Sequence, residues 1–182
     1  MNAVLQNIIR VGRVSSVHPE NGTARVAFSD RSDVVSYELP VLGRGSLNNK
    51  DYWLPDPDEQ VVCLFLPNGN EQGFVIGSPF SKADPPPVED PNKRHMAFSD
   101  GTVIEYDRST HTLLIDVKGP INIITTSQVN IAAAAGVNIT GNLTVSGSIN
   151  AGDDVTAGSI SLRSHVHSGV QSGLSNTEPP VG

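Results

Sequence analysis

Ile121-Asn122-Ile123, Val129-Asn130-Ile131 and Val137-Asn138-Ile139 repeat one apolar-polar-apolar triplet at a spacing of eight residues. Leu143-Thr144-Val145, Ser148-Ile149-Asn150, Asp154-Val155-Thr156 and Ser159-Ile160-Ser161 carry the pattern on at about six. From Ile121 to Gly152 there is no Asp, Glu, Lys or Arg. Side chains of an extended segment alternate between faces, so the outer members of a triplet share one face and the central one takes the other. Gly136, Gly141, Gly147, Gly152 and Gly158 supply corners between the short strands. This is the pattern of a β-helix or β-prism repeat, in which one rung is too small to bury its own apolar face. A monomeric solenoid spends about 20 residues or more on each coil, which leaves this segment only a few turns. Equivalent rungs of three chains wrapping one another are therefore the favoured arrangement. The flanking triplets make Ala132-Ala133-Ala134-Ala135 a corner despite its helical propensity. Membrane insertion is disfavoured, because the alternating Asn, Thr, Ser and Gly would leave polar groups unpaired in hydrocarbon. Asn122, Asn130 and Asn138 read as facing water or one another.

The preceding residues read differently. Val11 to Val17 and Ala24 to Phe28 flank His18-Pro19-Glu20-Asn21-Gly22, a hairpin whose Asn-Gly pair supplies the positive φ angles of a tight turn. A third strand is expected from Val34 to Leu42, a loop through Gly43 to Asp51, a fourth strand from Val61 to Leu66, a turn at Pro67 to Asn70, and a fifth strand over Gly73 to Gly77. Short strands with Gly-rich turns and no helical period fit a small barrel of the OB type, and a generic β-sandwich nearly as well. The run Asp84-Pro85-Pro86-Pro87-Val88-Glu89-Asp90-Pro91 removes ladder donors and stiffens the chain, which marks a linker. A further hairpin is expected from Thr102 to Tyr106 and from His111 to Val117.

Composition bounds the function. The 182 residues carry a net charge of -7, which argues against a nucleic-acid partner that depends on phosphate neutralisation. Partners should be proteins or a surface. Cys63 is the single cysteine; it lies in an apolar run and reads as a buried, inert thiol. Met1 to Gly12 lacks the pattern of a secretory signal. Export by such a signal is therefore not expected, and a role outside a cell would need delivery by another machine or by lysis.

After the repeat comes Arg163-Ser164-His165-Val166-His167-Ser168-Gly169. On an extended strand His165 and His167 share one face and Val166 takes the other. Two imidazoles rarely hold a transition metal, but three copies around a threefold axis would offer six nitrogens, enough for an octahedral site without a carboxylate. Such a ligand set suits iron, nickel or copper better than zinc, which prefers four ligands. Ligation needs neutral rings, so metal loss is expected below the histidine range near about 6.5. The residues themselves leave the metal open.

Pro57-Asp58-Glu59-Gln60-Val61-Val62, Gly73 to Ser78, Asp100-Gly101-Thr102, Glu105-Tyr106-Asp107 and above all Gly147 to His167 resemble the baseplate assembly protein V family, the central membrane-piercing spike of contractile phage tails and phage-tail-like bacteriocins. The resemblance implies an all-β homotrimer: an N-terminal OB-like barrel followed by an intertwined trimeric β-helix with a metal-capped tip. Mapped onto this chain it gives an arm at residues 1–9, a hub-docking barrel at 10–83, a Pro-rich linker at 84–94, a shaft at 95–162 and a tip at 163–182. It further implies one iron ion shared by three chains through His165 and His167, a tail hub protein and the target bacterial outer membrane as partners, no nucleic acid, and a place at the baseplate tip of a virion or tail-like particle. Some relatives carry a lysozyme domain, for which there is no room between Pro91 and Ile121.

No enzymatic activity is expected. A metal-dependent hydrolase or oxygenase would need a carboxylate and an open coordination position beside the histidines, and Glu178, in a loose tail, is the only acidic residue after His167. Asp153 and Asp154, adjacent on a strand, would face opposite sides instead of forming a glycan-cleaving pair. A trimeric receptor-binding tail fibre shares the architecture and differs in ending in a broad head. His18, His95 and His111 read as surface or packing residues, and Trp53 as a barrel core or rim position.

Overall fold

The computed structural model describes residues 8–67, 72–169 and 173. The secondary structure among them is β, apart from a single 3-10 turn at Ser29–Arg31. The chain forms two compact units, Met1–Asn122 and Ile123–Gly182. No helix among the described residues is long and apolar enough to cross a membrane.

The first unit is organised by β1 (Ile9–His18), which pairs through its first half with β5 (Gln60–Phe65) and through its second half with β2 (Thr23–Phe28). A register shift between Val14 and Ser16 bends β1 where it passes from one partner to the other. Gly12 sits in that ladder because nothing larger fits: a Cβ there would lie 2.5 Å from Val26 Cγ1 and 2.6 Å from the Ala27 carbonyl oxygen. β5 continues to β6 (Gly73–Gly77). On the other side β2 pairs with β3 (Val34–Val35) and β4 (Leu39–Pro40). Just past β4, Val41 bridges Val75 of β6 in parallel, and Leu42 N donates to the Val75 carbonyl at 2.9 Å. The sheet thereby returns on itself.

Period-two alternation fills its interior. Ala24, Val26 and Phe28 of β2 and Val61 and Cys63 of β5 point inward, joined by Val14, Leu39 and Val75. Phe28 meets Phe65 edge to face at 5.8 Å, and the Arg10 guanidinium lies 3.6 Å from the Phe28 ring centre while pairing with Asp30.

Three expectations change here. The strand foreseen from Val34 to Leu42 is two short pieces, because the Ser36 hydroxyl accepts from Val26 N at 3.0 Å and replaces a ladder bond. In the β1–β2 turn Gly22 alone of the Asn-Gly pair takes positive φ, so Pro19 to Gly22 form a wider connection. A strand absent from the sequence reading, β7 (Lys93–Ala97), begins directly after the prolines. The expected turn at Pro67 to Asn70 lies mostly outside the described residues.

β7 pairs with β8 (Val103–Asp107), and β8 with β9 (Thr112–Asp116), in an antiparallel sheet. On one face Glu105 receives Lys93 Nζ and His95 Nδ1, each at 2.7 Å. The other face carries Met96, Ile104, Tyr106, Leu113 and Ile115, the first and the last three exposed. Trp53, expected in the core or rim, is exposed and stacks edge to face on Phe98 at 5.7 Å.

In the second unit the triplets form no strand before β10 (Thr156–Ala157), which pairs with β11 (Ile160–Ser161). Between Gly119 and Asp153 the hydrogen bonds are local, Ser127 N to Thr125 Oγ1 and Gly136 N to the Ala133 carbonyl. The latter makes the alanine run the corner foreseen. Ile123, Ile131, Ile139, Leu143 and Ile149 are all exposed in the single chain.

Candidate metal centre

The tip is built on the β10–β11 hairpin. Gly158, with φ 62, starts its two-residue loop, and Leu162 N closes it on the Val155 carbonyl at 2.9 Å. Asp154 stands at the entry to the hairpin, its Oδ1 accepting from Val155 N at 2.8 Å and from Arg163 N at 3.1 Å. A bond from the Ser161 hydroxyl, then those from the backbone, holds the Asp154 carboxyl below the usual carboxylate range. Asp153 points elsewhere and meets the Arg163 guanidinium at 3.3 Å, an exposed pair. The two neighbouring carboxylates thus have separate structural partners.

His165 leaves the hairpin with its backbone N and its Nδ1 both on the Ser161 carbonyl, at 3.1 and 2.9 Å. The His165 and His167 rings lie with centroids 5.1 Å apart and planes at 76°. The two rings are neighbours although residues 165–167 lie outside any strand, and Val166, 90 % exposed, is not between them. Among the described residues no group of three or more His, Cys, Asp or Glu gathers in one chain. The pair alone is short of a metal site.

Its donor chemistry is nonetheless suitable. Two imidazoles bound cis to one ion at about 2.1 Å would have ring centres about 4.5 to 5 Å apart, close to the separation seen. With Nδ1 of His165 engaged by a carbonyl, Nε2 is the atom left to bind. One chain can supply two cis nitrogens; the remaining positions would have to come from elsewhere.

What sequence reasoning passed over is the support of this pair. Ser161 and Asp154 were both read as members of strand triplets, yet the Ser161 carbonyl holds His165 and the Asp154 carboxylate holds Arg163 N two residues before it. The signal was present in the spacing Asp154, Ser161, His165, with Gly158 turning the chain between the first two.

Residues 159–181 match the GpV Apex motif, which takes in β11, Asp154's partners Ser161 and Arg163, and both histidines. The chain is also similar to the spike protein of Escherichia phage P2, 29% identical over 112 residues, 61% of this chain and 51% of that protein. The chain spans about half the length of the curated relative it matches. The motif falls on the segment whose geometry has just been described, and with the spike-protein match it bears out the resemblance read from the sequence, to the gpV-like family of baseplate spikes.

Proposed function

We propose that this chain is the subunit of a homotrimeric central spike on a contractile tail baseplate, acting mechanically and not as an enzyme. The closed sheet of the first unit serves as an OB-like barrel that docks on the tail hub, with domain bounds of residues 10–83 for the barrel, 84–94 for the linker, 95–162 for the shaft and 163–182 for the tip. The shaft is an intertwined β-helix, and it drives through the target cell outer membrane when the sheath contracts. At the tip His165 and His167 of the three chains share one iron ion, which would cross-link the chain ends.

The observation that carries this reading is the Apex motif lying on the His-x-His end of a charge-free repeat. Two physical features support it. The repeat has no backbone ladder within its own chain before β10 and leaves its aliphatic side chains in water, a state that burial against copies of itself would relieve at about 25 cal/mol per Å². The paired imidazoles supply two neutral nitrogen ligands per chain, and an ion held by several chains couples its binding energy to their assembly.

Native mass spectrometry with elemental analysis of the purified chain tests the assembly and the metal together. Three chains with one iron per trimer are expected, and replacing both His165 and His167 by Ala should remove the metal while leaving the trimer. A monomer, or a trimer carrying no transition metal after iron supply, refutes the metal-tipped spike. Antibody against the chain should label the distal baseplate tip of particles; labelling along side fibres would assign it to receptor binding instead.

A further inference from the structure

Side-chain hydrogen bonds brace the segment that runs from Asp154 to His165. His165 Nδ1 lies 2.9 Å from the Ser161 carbonyl oxygen. A carbonyl can only accept, so Nδ1 carries the proton, and in the neutral ring the lone pair then resides on Nε2. Ser161 is itself held by the turn that follows it, its Oγ accepting from Ser164 N and from the Ser164 hydroxyl, both at 3.0 Å. Across the hairpin the Asp154 carboxylate holds Val155 N and Arg163 N. The two side chains therefore brace both ends of the hairpin and the turn from Ser161 to Ser164 that leads into His165.

We propose that Asp154 and Ser161 are positioning residues that fix His165 as its Nδ1–H tautomer and reserve Nε2 as the ligand atom. His167 makes no hydrogen bond among the described residues, so this device acts on one ring of the pair. It matters for a site built by repetition, because every copy of a ring must present the same nitrogen before the ion arrives. The inference rests on the metal-tip reading only for what Nε2 binds; the tautomer stands apart from it.

The test uses the full chain, made in iron-depleted medium with 15N-labelled histidine and studied well above the histidine titration range, beside Asp154→Ala, Asp154→Asn and Ser161→Ala. NMR reads the ring nitrogens, with His165→Gln giving the assignment; iron(II) alone is titrated as the ligand, and native mass follows assembly. The wild-type chain should show a protonated Nδ1 on His165. Asp154→Ala should lose that signature and bind iron(II) about ten- to a hundredfold more weakly, with Ser161→Ala between the two. Asp154→Asn, whose amide oxygen still accepts from Val155 N and Arg163 N, should keep the signature and most of the affinity. A protonated Nε2 on His165 in the wild-type chain overturns the proposal, and is decisive even should Asp154→Ala fail to fold. So does a folded Asp154→Ala chain with His165 unchanged. A wild-type chain that takes up no iron(II) yet shows the Asp154-dependent tautomer supports the positioning role and removes the metal reading, so the two failures are distinct.

Discussion

Replacing Ile131 by Ser probes the claim that the triplet repeat is buried by other copies of the chain. Ile131 is 73 % exposed in the single chain, so nearly three quarters of its surface is available to be covered on assembly. Complete burial of such a side chain is worth about 2 to 3 kcal/mol, which makes the unrealised part about 2 kcal/mol. A threefold assembly repeats the loss in each subunit, for about 6 kcal/mol per trimer, and at about 1.4 kcal/mol per decade the association constant should fall by about 10⁴. For three chains joining in one step the midpoint concentration varies as the inverse square root of that constant, so the substitution should raise it about a hundredfold. The assay is sedimentation equilibrium over a dilution series, with the wild-type chain and Asn130→Ser as references. Asn130 lies on the opposite face of the same triplet, and its substitution should stay within about 0.5 kcal/mol per chain. An Ile131→Ser midpoint within about threefold of wild type would refute the reasoning, and so would an equal shift for Asn130→Ser, since parity would then carry no information about burial.

Three further outcomes follow from the first unit. Gly12→Ala places a methyl group against Val26 Cγ1 and the Ala27 carbonyl at 2.5 and 2.6 Å; it should destabilise the first unit by about 2 kcal/mol or more, read as a lower urea midpoint at unchanged slope. Cys63 is fully buried and its thiol is pushed up to about 11 by burial, so near pH 8 its thiolate fraction should be about two hundred times below that of a free cysteine. Reaction with a disulfide reagent should be correspondingly slow until guanidinium unfolds the chain, and labelling of the native protein at a free-thiol rate would contradict the assigned core. Hydrogen bonds from Lys93 and then His95 hold the Glu105 carboxyl below its ordinary value, and the same contact raises Lys93 above its own. A lowered acid stabilises the fold above its unfolded value and loses that contribution as pH falls through the folded one; a raised base does the reverse at high pH. The stability difference between the wild-type chain and Glu105→Gln should therefore shrink as pH falls below about 4 and as it rises above about 10. A difference that keeps growing as pH falls below about 4 would refute the pairing.

How much of this was legible depended on whether a feature is local. The β1–β2 hairpin and β6 follow from alternation and turn residues within a few positions, and Gly73 to Gly77 lies where the sequence placed it. β7 was missed because its first residues, Lys93 and Arg94, read as the end of the Pro-rich linker. The partner of Lys93 and His95 is not solvent but Glu105, ten to twelve residues on, and a cross-strand ion pair has no signature in either strand alone. The break after Val35 was hidden for a related reason, since it turns on a serine hydroxyl substituting for a ladder bond. At the tip, parity pointed to His165 and His167 as neighbours. It could not reveal that Asp154 bonds Arg163 N, because that depends on Gly158 folding the chain back between two residues that look like solvated polar positions.

The placement of charge along the chain then acquires a physical reason under the proposed threefold assembly. A side chain near such an axis meets two identical copies of itself, so any ionisable group there would face its own charge twice in a poorly solvated interior, which is costly without a partner of opposite sign. A repeat that must wrap itself is thereby driven to aliphatic, hydroxyl and amide side chains, as residues 121–152 are. Charge returns at Asp153 and Asp154, where the chain begins to bond to itself again: one carboxylate pairs with Arg163 and the other is taken up by backbone donors. Neutral imidazole is the one strong metal ligand that escapes the rule, since like rings do not repel until an ion joins them. A tip made of histidine can therefore follow a shaft made without charge, where a carboxylate cluster would push the three ends apart before any cation arrived.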